Sequence, residues 1–385
     1  MIIYLLLILS SLLTGCGRNP VTGKSEIQLI TESQEIQIGE ENFRYLQQIE
    51  GGDYVTDPKL QSYVSHIGMS LARLSDRPQL PYQFVIIDNP IPNAWSLPGG
   101  KIGINRGLLV LLDNEAELAA VLAHEIVHSA ARHSAKGIER SLLIGAGLAG
   151  AKIALKNNKY EDVIICGAQA GAGLLVLHYS RDAEYEADRY GIEYIVRAGY
   201  EPYAAVTLQE KFLKLSKQEK SRPPTIFSSH PPSEDRIREN IQIASHYHVK
   251  GKLGAQEYQT MISPLKDQAP AYEKLQEGYE AFVLKQYHKA LKLADEGIAL
   301  SPRIPHLWGL KGKSELKLDD LINARNSLNR AIEINDHYFE FYYLRGIIEH
   351  REGNYKAARR DFQKSYDLLP TEEAAAGLNS TKMYP

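Results

Sequence analysis

The sequence is poor in cysteine and carries little net charge. Its 385 residues include only two cysteines, Cys16 and Cys166, and 44 basic against 47 acidic residues, which leaves a formal net charge of -3. A single cysteine pair cannot supply a disulfide framework, so we expect Cys166 to be a small, buried apolar residue. Because the chain has no excess of basic residues, we do not expect it to bind nucleic acid.

Long apolar runs are also scarce beyond the N-terminus. Two runs rich in Gly, Ala and Leu, residues 142–155 and 163–177, are shorter than the roughly 20 residues that a membrane-spanning helix needs. We interpret them as short packed helices. The alternative is a shallow contact of residues 142–177 with lipid or with a membrane-protein substrate.

The N-terminus indicates the compartment. Residues 2–13 are almost wholly apolar and end in Leu13-Thr14-Gly15-Cys16, which resembles the bacterial lipobox. Residues 1–15 are therefore predicted to be a lipoprotein signal peptide, with Cys16 lipidated, and Gly17 fits sorting to the outer membrane. We expect a periplasmic protein that a lipid anchors in the inner leaflet of the outer membrane. No Lys or Arg precedes the apolar run, and a simple secretory signal is the alternative.

A metal-binding pattern lies inside a strongly helical stretch. Residues His124-Glu125-Ile126-Val127-His128 fit the pattern H-E-x-x-H, and the preceding Asn114 and Glu117 form a capping box that predicts where the helix begins. Positions four apart share a helix face, so both imidazoles can point at one ion, with Glu125 close enough to activate a water molecule. The helix is apolar on nearly every side, and polar residues in such a helix need a reason. A chance match is the alternative.

A third ligand is needed, because catalytic zinc usually takes three protein ligands and keeps one open position. The best candidate is Glu184, in the run Ser180-Arg181-Asp182-Ala183-Glu184-Tyr185-Glu186-Ala187-Asp188. On a helix Asp188 shares its face, so it can accept the free N–H of a ligand histidine. Glu186 is expected to face elsewhere, and His133 is expected to be a structural or surface histidine rather than a ligand. A solvated charged helix is the alternative for this run.

Together these motifs resemble the M48 peptidases, a family of gluzincin-type zinc proteases. Further segments carry the likeness: Asn93 to Ile102 before the zinc helix, Asn19 to Lys24 near the N-terminus, and Ser229-His230-Pro231-Pro232 with Arg236. The resemblance implies one Zn²⁺ per chain, bound by His124, His128 and Glu184, and peptide hydrolysis with Glu125 as general base and proton shuttle. It also implies that His230 lies near the metal, where it steadies the oxyanion or occupies the open position. A loop histidine without a role is the alternative.

Substrate contacts are expected on a strand before the zinc helix. Residues Lys101 to Ile104 are rich in β-formers, and an edge strand beside the metal could pair with an extended substrate chain. Lys101, Ile102 and Gly103 are therefore candidate substrate-binding residues. Arg236 is a further candidate, which either contacts substrate or steadies its own loop.

The C-terminal third carries an internal repeat. Gly278, Gly312 and Gly346 recur every 34 residues, as do Ala290, Ala324 and Ala358, and this is the tetratricopeptide period. Stacked helix pairs form a concave surface that is expected to hold polypeptide or a partner protein. Burial of one flank of the protease is the alternative role.

These observations predict a mainly α protein in which a zincin-like α+β domain with a small β-sheet precedes an α-solenoid of repeats. The expected divisions are a tether at 16–30, a peptidase domain at 31–250, a linker at 251–270 and repeats at 271–380. The arrangement resembles periplasmic M48 members that attend outer-membrane β-barrel assembly. It implies a protease that degrades unfolded or misassembled envelope proteins, with the repeats binding substrate or the β-barrel assembly machinery. An assembly chaperone or adaptor with a latent zinc site is the alternative.

Overall fold

The computed structural model describes residues 16–141, 143, 179–218 and 229–382. The described chain is mostly helical with two small sheets, which confirms the expected fold class. Within these ranges, no helix combines the length and the apolar character that crossing a bilayer requires. The predicted signal peptide and almost all of the apolar stretch 142–177 lie outside the described residues.

The elements before the repeats alternate short strands with helices. In chain order they are β1 (Cys16–Arg18), β2 (Ser25–Ile27), α1 (Glu32–Ile49), α2 (Pro58–Ala72), β3 (Gln83–Ile87), β4 (Ala94–Leu97), β5 (Lys101–Asn105), α3 (Arg106–Leu111), α4 (Glu115–Ala130), α5 (Arg181–Arg197), α6 (Ala204–Gln218), α7 (Glu234–Ser245) and α8 (Ala255–Asp267). The elements that follow are α9 (Ala269–Val283), α10 (Tyr287–Leu300), α11 (Pro305–Lys317), α12 (Leu321–Ile334), α13 (Phe339–Arg351), α14 (Tyr355–Leu368) and α15 (Glu372–Ser380).

The chain forms two compact units. Of the described residues, the first unit comprises those that fall within Met1–Phe43, Tyr63–Val85 and Pro90–Gln259, and the second comprises those within Arg44–Ser62, Ile86–Asn89 and Thr260–Pro385. The second unit thus joins the repeats with two short segments from the N-terminal half of the chain. Inside this unit, Gln48 Nε2 donates to the carbonyl of His337 at 2.7 Å. The domain boundaries expected from the sequence stay predictions.

The three-stranded sheet corrects the expected edge strand. Its order is β3-β5-β4, so β5 is the central strand and β4 is an edge. A central strand has hydrogen-bonded neighbours on both sides and cannot add a substrate chain. Lys101 is also buried, with Nζ 2.8 Å from Gln83 Oε1, and a Cβ at Gly103 would collide with the Trp95 ring. Lys101, Ile102 and Gly103 are therefore sheet and core residues rather than a substrate-pairing edge.

Helix α4 begins at the capping box that the sequence predicts. The Asn114 side chain accepts a hydrogen bond from the Glu117 N–H at 2.9 Å, and Glu117 Oε2 accepts one from the Asp113 N–H at 2.8 Å. Nearly every residue of the helix is buried, as its apolar composition requires. The helix packs against α5, α6 and β4, which brings the H-E-x-x-H residues to the centre of the first unit.

Residues 251–270, which are expected to form a linker, are largely helical. Helix α8 occupies most of this segment, with Pro264 inside the helix. Tyr258, Ile262 and Leu265 are buried and recur at helical spacing, so the segment has an apolar face that can pack. The Tyr258 hydroxyl donates to the carbonyl of Leu109 at 2.6 Å. Gly251, Gly254 and Pro264 favour the prediction of a linker, although the apolar residues of this segment recur at helical spacing.

The repeats fold as stacked helix pairs. Gly278, Gly312 and Gly346 each lie in the first helix of a pair, and each is so closely packed that an added Cβ would lie within 3 Å of a side chain of the second unit. The alanines that recur in the second helices, Ala290, Ala324 and Ala358, are fully buried. The 34-residue period is therefore explained by close approach between helices, within a pair at Gly312 and Gly346 and between neighbouring pairs at Gly278.

Candidate metal centre

Two helices and one loop bring four donor residues together. His124 and His128 lie on α4, Glu184 lies near the start of α5, and His230 precedes α7. One ligand atom from each residue lies within 4.8 Å of the others. His128, Glu184 and His230 are buried, and His124 is only slightly exposed. The two sequence motifs thus meet at one point, although 56 residues separate His128 from Glu184.

The spacing between the donors fits a small tetrahedral ion. His124 Nε2 lies 3.1 Å from His128 Nε2 and 3.2 Å from His230 Nδ1, while Glu184 Oε1 lies 3.4 Å from His128 Nε2 and 3.0 Å from His230 Nδ1. Ligands at zinc bond lengths on the corners of a tetrahedron are separated by about 3.3 Å. Nitrogen and carboxylate donors are also those that zinc prefers. The residues present therefore fit zinc.

The other ring nitrogen of His124 contacts a carboxylate, as the helical spacing predicts. His124 Nδ1 lies 3.1 Å from Asp188 Oδ1. Asp188 in turn accepts from Arg236 Nε at 2.6 Å and from Arg236 Nη2 at 2.7 Å. Arg236 Nη1 also donates to the carbonyl of Pro231 at 3.1 Å and lies 2.8 Å from Glu184 Oε2. Because its guanidinium is buried on these partners, Arg236 is placed to steady the loop and Asp188, and it also lines the pocket beside the donors.

Burial and neighbouring charges shift the pKa values of Glu125 and Glu184 in opposite directions. Burial opposes ionisation of Glu184, but His230, His124 and His128 outweigh it and hold the pKa of Glu184 well below its usual range. Burial raises the pKa of Glu125, and its Oε2 has no hydrogen-bond partner within the described ranges. Glu184 is thus prepared to stay anionic as a ligand, while Glu125 is the better proton acceptor of the two.

His133 does not behave as the helical wheel suggests. The helix ends at Ala130, Arg132 adopts a left-handed φ of 61°, and a new helical segment begins at His133. The turn brings His133 Nδ1 to 2.9 Å from His128 Nδ1 and buries the ring. His133 is therefore a structural neighbour of the metal centre and the surface alternative is wrong. Glu186, expected to face elsewhere, lies 3.2 Å from His133 Nε2.

Tyr179 is a site residue that the sequence motifs did not reveal. Its ring stacks on His128 with the centroids 3.7 Å apart and the planes 20° apart. Its hydroxyl donates to the carbonyl of Ser96 on β4 at 3.2 Å. The only sequence signal was its position directly before Ser180, the N-cap of α5. Tyr179 joins the edge strand to the imidazole of His128.

A pocket beside the donors opens between α4, α5, α6 and α7. Its walls are mostly apolar, and it reaches His124, Glu125 and His230. Gly191 lies next to the backbone of His124, and a Cβ added at Gly191 would be in ordinary van der Waals contact with it. The apolar and small residues that line it include Ala94, Ala120, Val121, Ala205, Leu208 and Phe212.

Comparison with known proteins agrees with both halves of the chain. Residues 58–242 match Peptidase family M48, and residues 305–338 match the tetratricopeptide repeat. The chain is 33% identical over 224 residues to the beta-barrel assembly-enhancing protease of Escherichia coli K12, across 57% of this chain and 45% of the relative. It is 35% identical over 178 residues to the mitochondrial metalloendopeptidase OMA1 of Schizosaccharomyces pombe, across 46% of this chain and 50% of the relative.

Each of these matches covers only part of this chain. The chain spans about half the length of the curated relatives it matches, 45% and 50% for the two above. Among solved structures, the Arabidopsis OM64 TPR domain aligns over 31% of this chain and 99% of that chain, with 21% identity and a TM-score of 0.30.

Proposed function

From the match of residues 58–242 to Peptidase family M48, we propose that the chain is a zinc-dependent endopeptidase. One observation carries the proposal: the ligand atoms of His124, His128 and Glu184 converge at spacings that suit zinc, and Glu125 lies on the same helix turn as His124. A peptidase needs a Lewis acid and a base at one point, and this centre supplies a place for both.

The proposed ligands divide between two helices. His124 and His128 offer neutral nitrogens from α4, and Glu184 offers an anionic oxygen from α5. If bound by these residues, zinc would supply Lewis acidity for a peptide carbonyl and lower the pKa of a water molecule towards neutral pH.

Glu125 is the proposed proton carrier. Its carboxylate is buried, and burial raises its pKa, so it is a stronger base than an exposed glutamate. In the proposed reaction it accepts a proton from the attacking water as the C–O bond forms. It then delivers that proton to the nitrogen of the leaving amine as the C–N bond breaks.

His230 supports a resting state with restricted access. Its Nδ1 lies at ligand spacing from both His124 Nε2 and Glu184 Oε1, so four donors surround the centre instead of three. A catalytic zinc needs one position for water or substrate. We infer that His230 must leave before hydrolysis. The same contact favours the second candidate, an assembly chaperone or adaptor whose zinc site stays latent.

Substrate pairing is proposed for β4 instead of β5. Strand β4 is an edge and packs against the zinc helix. The Asn105 N–H donates to the Asn93 carbonyl, and hydrogen-bonded pairs alternate along antiparallel strands, so the backbone of Ala94 points away from β5. Ala94 also lines the pocket beside Glu125. An extended peptide paired there would pass the centre with loose side-chain specificity, favouring apolar side chains in the pocket.

The proposed substrates are unfolded or misassembled periplasmic and outer-membrane proteins. The relative from Escherichia coli K12 is named a beta-barrel assembly-enhancing protease, and the present chain carries tetratricopeptide repeats, whose stacked helices form a concave binding surface. The repeats are proposed to hold substrate or the β-barrel assembly machinery. The lipobox resemblance at Cys16 supports a lipid anchor, and with it a periplasmic location at the inner leaflet of the outer membrane.

The test compares wild type, Glu125→Gln and His230→Ala on casein and on a stalled β-barrel substrate. Cleavage by wild type that is lost in Glu125→Gln supports the endopeptidase. Cleavage that appears only in His230→Ala supports the latent centre. If none of the three cleaves either substrate although each binds one zinc, the endopeptidase proposal is wrong.

A further inference from the structure

We propose that His133 and Glu186 act together as a positioning pair that fixes His128 in the tautomer whose Nε2 can bind the metal. The inference rests on the proposed zinc centre and adds two residues whose spacing in the sequence suggested no role there. Neither residue contributes a ligand atom to the cluster of four donors.

Three contacts connect His128 to the surface in one line. His128 Nδ1 lies 2.9 Å from His133 Nδ1, and His133 Nε2 lies 3.2 Å from Glu186 Oε2. Lys24 Nζ donates to Glu186 Oε1 at 2.9 Å. Both imidazoles are buried, Glu186 is partly exposed and Lys24 is exposed. The line therefore runs from a buried ligand to a solvated ion pair.

Hydrogen-bond chemistry gives this line a direction. A carboxylate only accepts, so the hydrogen between His133 and Glu186 belongs to His133 Nε2. A neutral imidazole carries one N–H, so His133 Nδ1 holds a lone pair and must accept from His128 Nδ1. The lone pair of His128 is thereby placed on Nε2, the atom that lies 3.1 Å from His124 Nε2 and faces the centre. Only this tautomer can ligate a metal through Nε2.

The two ligand histidines are thus oriented by different means. His124 Nδ1 meets the carboxylate of Asp188 directly, whereas His128 reaches the carboxylate of Glu186 through a second imidazole. An interposed imidazole transmits the direction of the hydrogen bond without placing a second anion against His128. Glu186 faces two donors, because its Oε2 lies 3.2 Å from His133 Nε2 and its Oε1 lies 2.9 Å from Lys24 Nζ.

The N-terminal hairpin holds the outer end of the line. Lys24 lies in the turn that joins β1 and β2. Asn19, in the same hairpin, is buried and donates from Nδ2 to the carbonyl of Ala131 at 2.8 Å. This bond attaches the hairpin to the turn that carries His133. The segment that follows the predicted lipidation site is therefore part of the support of the metal centre.

The first test is direct and uses the wild-type protein. Two-bond ¹⁵N–¹H correlation of histidine-labelled full chain distinguishes the two neutral tautomers of each ring. We expect the proton of His133 on Nε2 and that of His128 on Nδ1, both with and without zinc. A His133 proton on Nδ1 would overturn the inference without bearing on peptidase activity.

The second test is Glu186→Gln, which keeps the shape but allows the group to donate as well as accept. The direction of the hydrogen bonds from His128 through His133 is then no longer fixed. We expect zinc affinity, measured by competition with a chromogenic chelator, to fall roughly 10–100-fold. Glu193→Gln is the matched control, because Glu193 is on the same helix but pairs with Arg197 near the surface. Unchanged affinity in Glu186→Gln would refute the inference.

The third test separates hydrogen bonding from packing at residue 133. His133→Phe keeps a ring but cannot accept a hydrogen bond, and His133→Asn places an oxygen near the former Nδ1. We expect weaker zinc binding in His133→Phe and recovery of most of the affinity in His133→Asn. Equal affinity in the two variants would contradict the positioning role. Wild type that binds zinc with the expected tautomers but hydrolyses nothing would refute only the peptidase proposal.

Discussion

Arg236 holds both carboxylate oxygens of Asp188, with Nε 2.6 Å from Oδ2 and Nη2 2.7 Å from Oδ1. Asp188 Oδ1 also lies 3.1 Å from His124 Nδ1, so the orientation of a proposed ligand depends on an arginine from another helix. Paired charges in this geometry are mutually required, because removing one partner leaves the other buried and uncompensated.

The first prediction concerns this pair. Arg236→Lys keeps the charge but loses the bidentate geometry, so we expect zinc affinity to fall by roughly tenfold or more. The measurement is chelator competition, with Arg238→Lys as control because Arg238 is an exposed residue of the same helix. Wild-type affinity in Arg236→Lys would show that Asp188 needs no fixed partner.

The second prediction concerns removal of the metal. Dialysis against EDTA is expected to lower the melting temperature, because the buried donors His128, Glu184 and His230 then lose the metal ion that they bind together. Restoring free zinc at one hundred times Kd is expected to stabilise the fold by about 2.7 kcal/mol. Thermal unfolding followed by circular dichroism measures the change. His128→Ala is the control, and a similar zinc response in that variant would place the binding elsewhere.

The third prediction concerns the start of the zinc helix. Glu115 is buried and accepts from the Tyr63 hydroxyl at 2.6 Å, the Tyr200 hydroxyl at 2.8 Å and Lys252 Nζ at 2.8 Å. Burial opposes ionisation, but the hydrogen bond from Lys252 and those from the tyrosines lower the pKa of Glu115 below its ordinary value of 4.5. We expect Glu115→Gln to destabilise the protein by about 1–3 kcal/mol at pH 7.

The lowered pKa of Glu115 also predicts how the free energy of unfolding changes with pH. Because the folded state holds the pKa of Glu115 below that of the unfolded state, its stabilising effect is present above about pH 4.5 and is lost as the pH falls further. The gap between wild type and Glu115→Gln in chemical denaturation should therefore narrow in acid. The exposed Glu210→Gln is the control. A gap that stays constant down to pH 3 would contradict this account of Glu115.

The fourth prediction concerns the repeats. A Cβ at Gly346 would lie 2.8 Å from the ring of Phe362 in the paired helix. Gly346→Val is therefore expected to destabilise the repeat unit by about 1–3 kcal/mol through overpacking. Limited proteolysis and thermal unfolding would report the loss. Ala376→Val, at an exposed position of α15, is the control. Equal stability of the two variants would mean that the helix pair has room at Gly346.

The local periodicity of the sequence was sufficient for the parts of the fold that depend on short-range spacing. His124 and His128 meet because four residues make one helical turn, and Glu184 and Asp188 share a face for the same reason. The 34-residue repeat likewise depends on close helix packing at glycines such as Gly312.

The sequence did not predict features that depend on where a helix ends or on which strands and side chains become neighbours in the fold. The contact between His133 and His128 was not predicted, because the helical wheel does not extend past the left-handed turn at Arg132. Lys101 was assigned to an edge strand because strand order is a tertiary property, and β5 pairs on both sides. The ion pair between Arg236 and Asp188 was not predicted for the same reason, since the two residues are 48 positions apart in the chain.

The most direct test of the zinc centre is an anomalous difference map collected at the zinc absorption edge from crystals of the full chain. The account predicts one peak per chain, within about 2.0–2.2 Å of His124 Nε2, His128 Nε2 and a carboxylate oxygen of Glu184. No peak between these three residues in zinc-loaded crystals, or a peak bound by other residues, would contradict it.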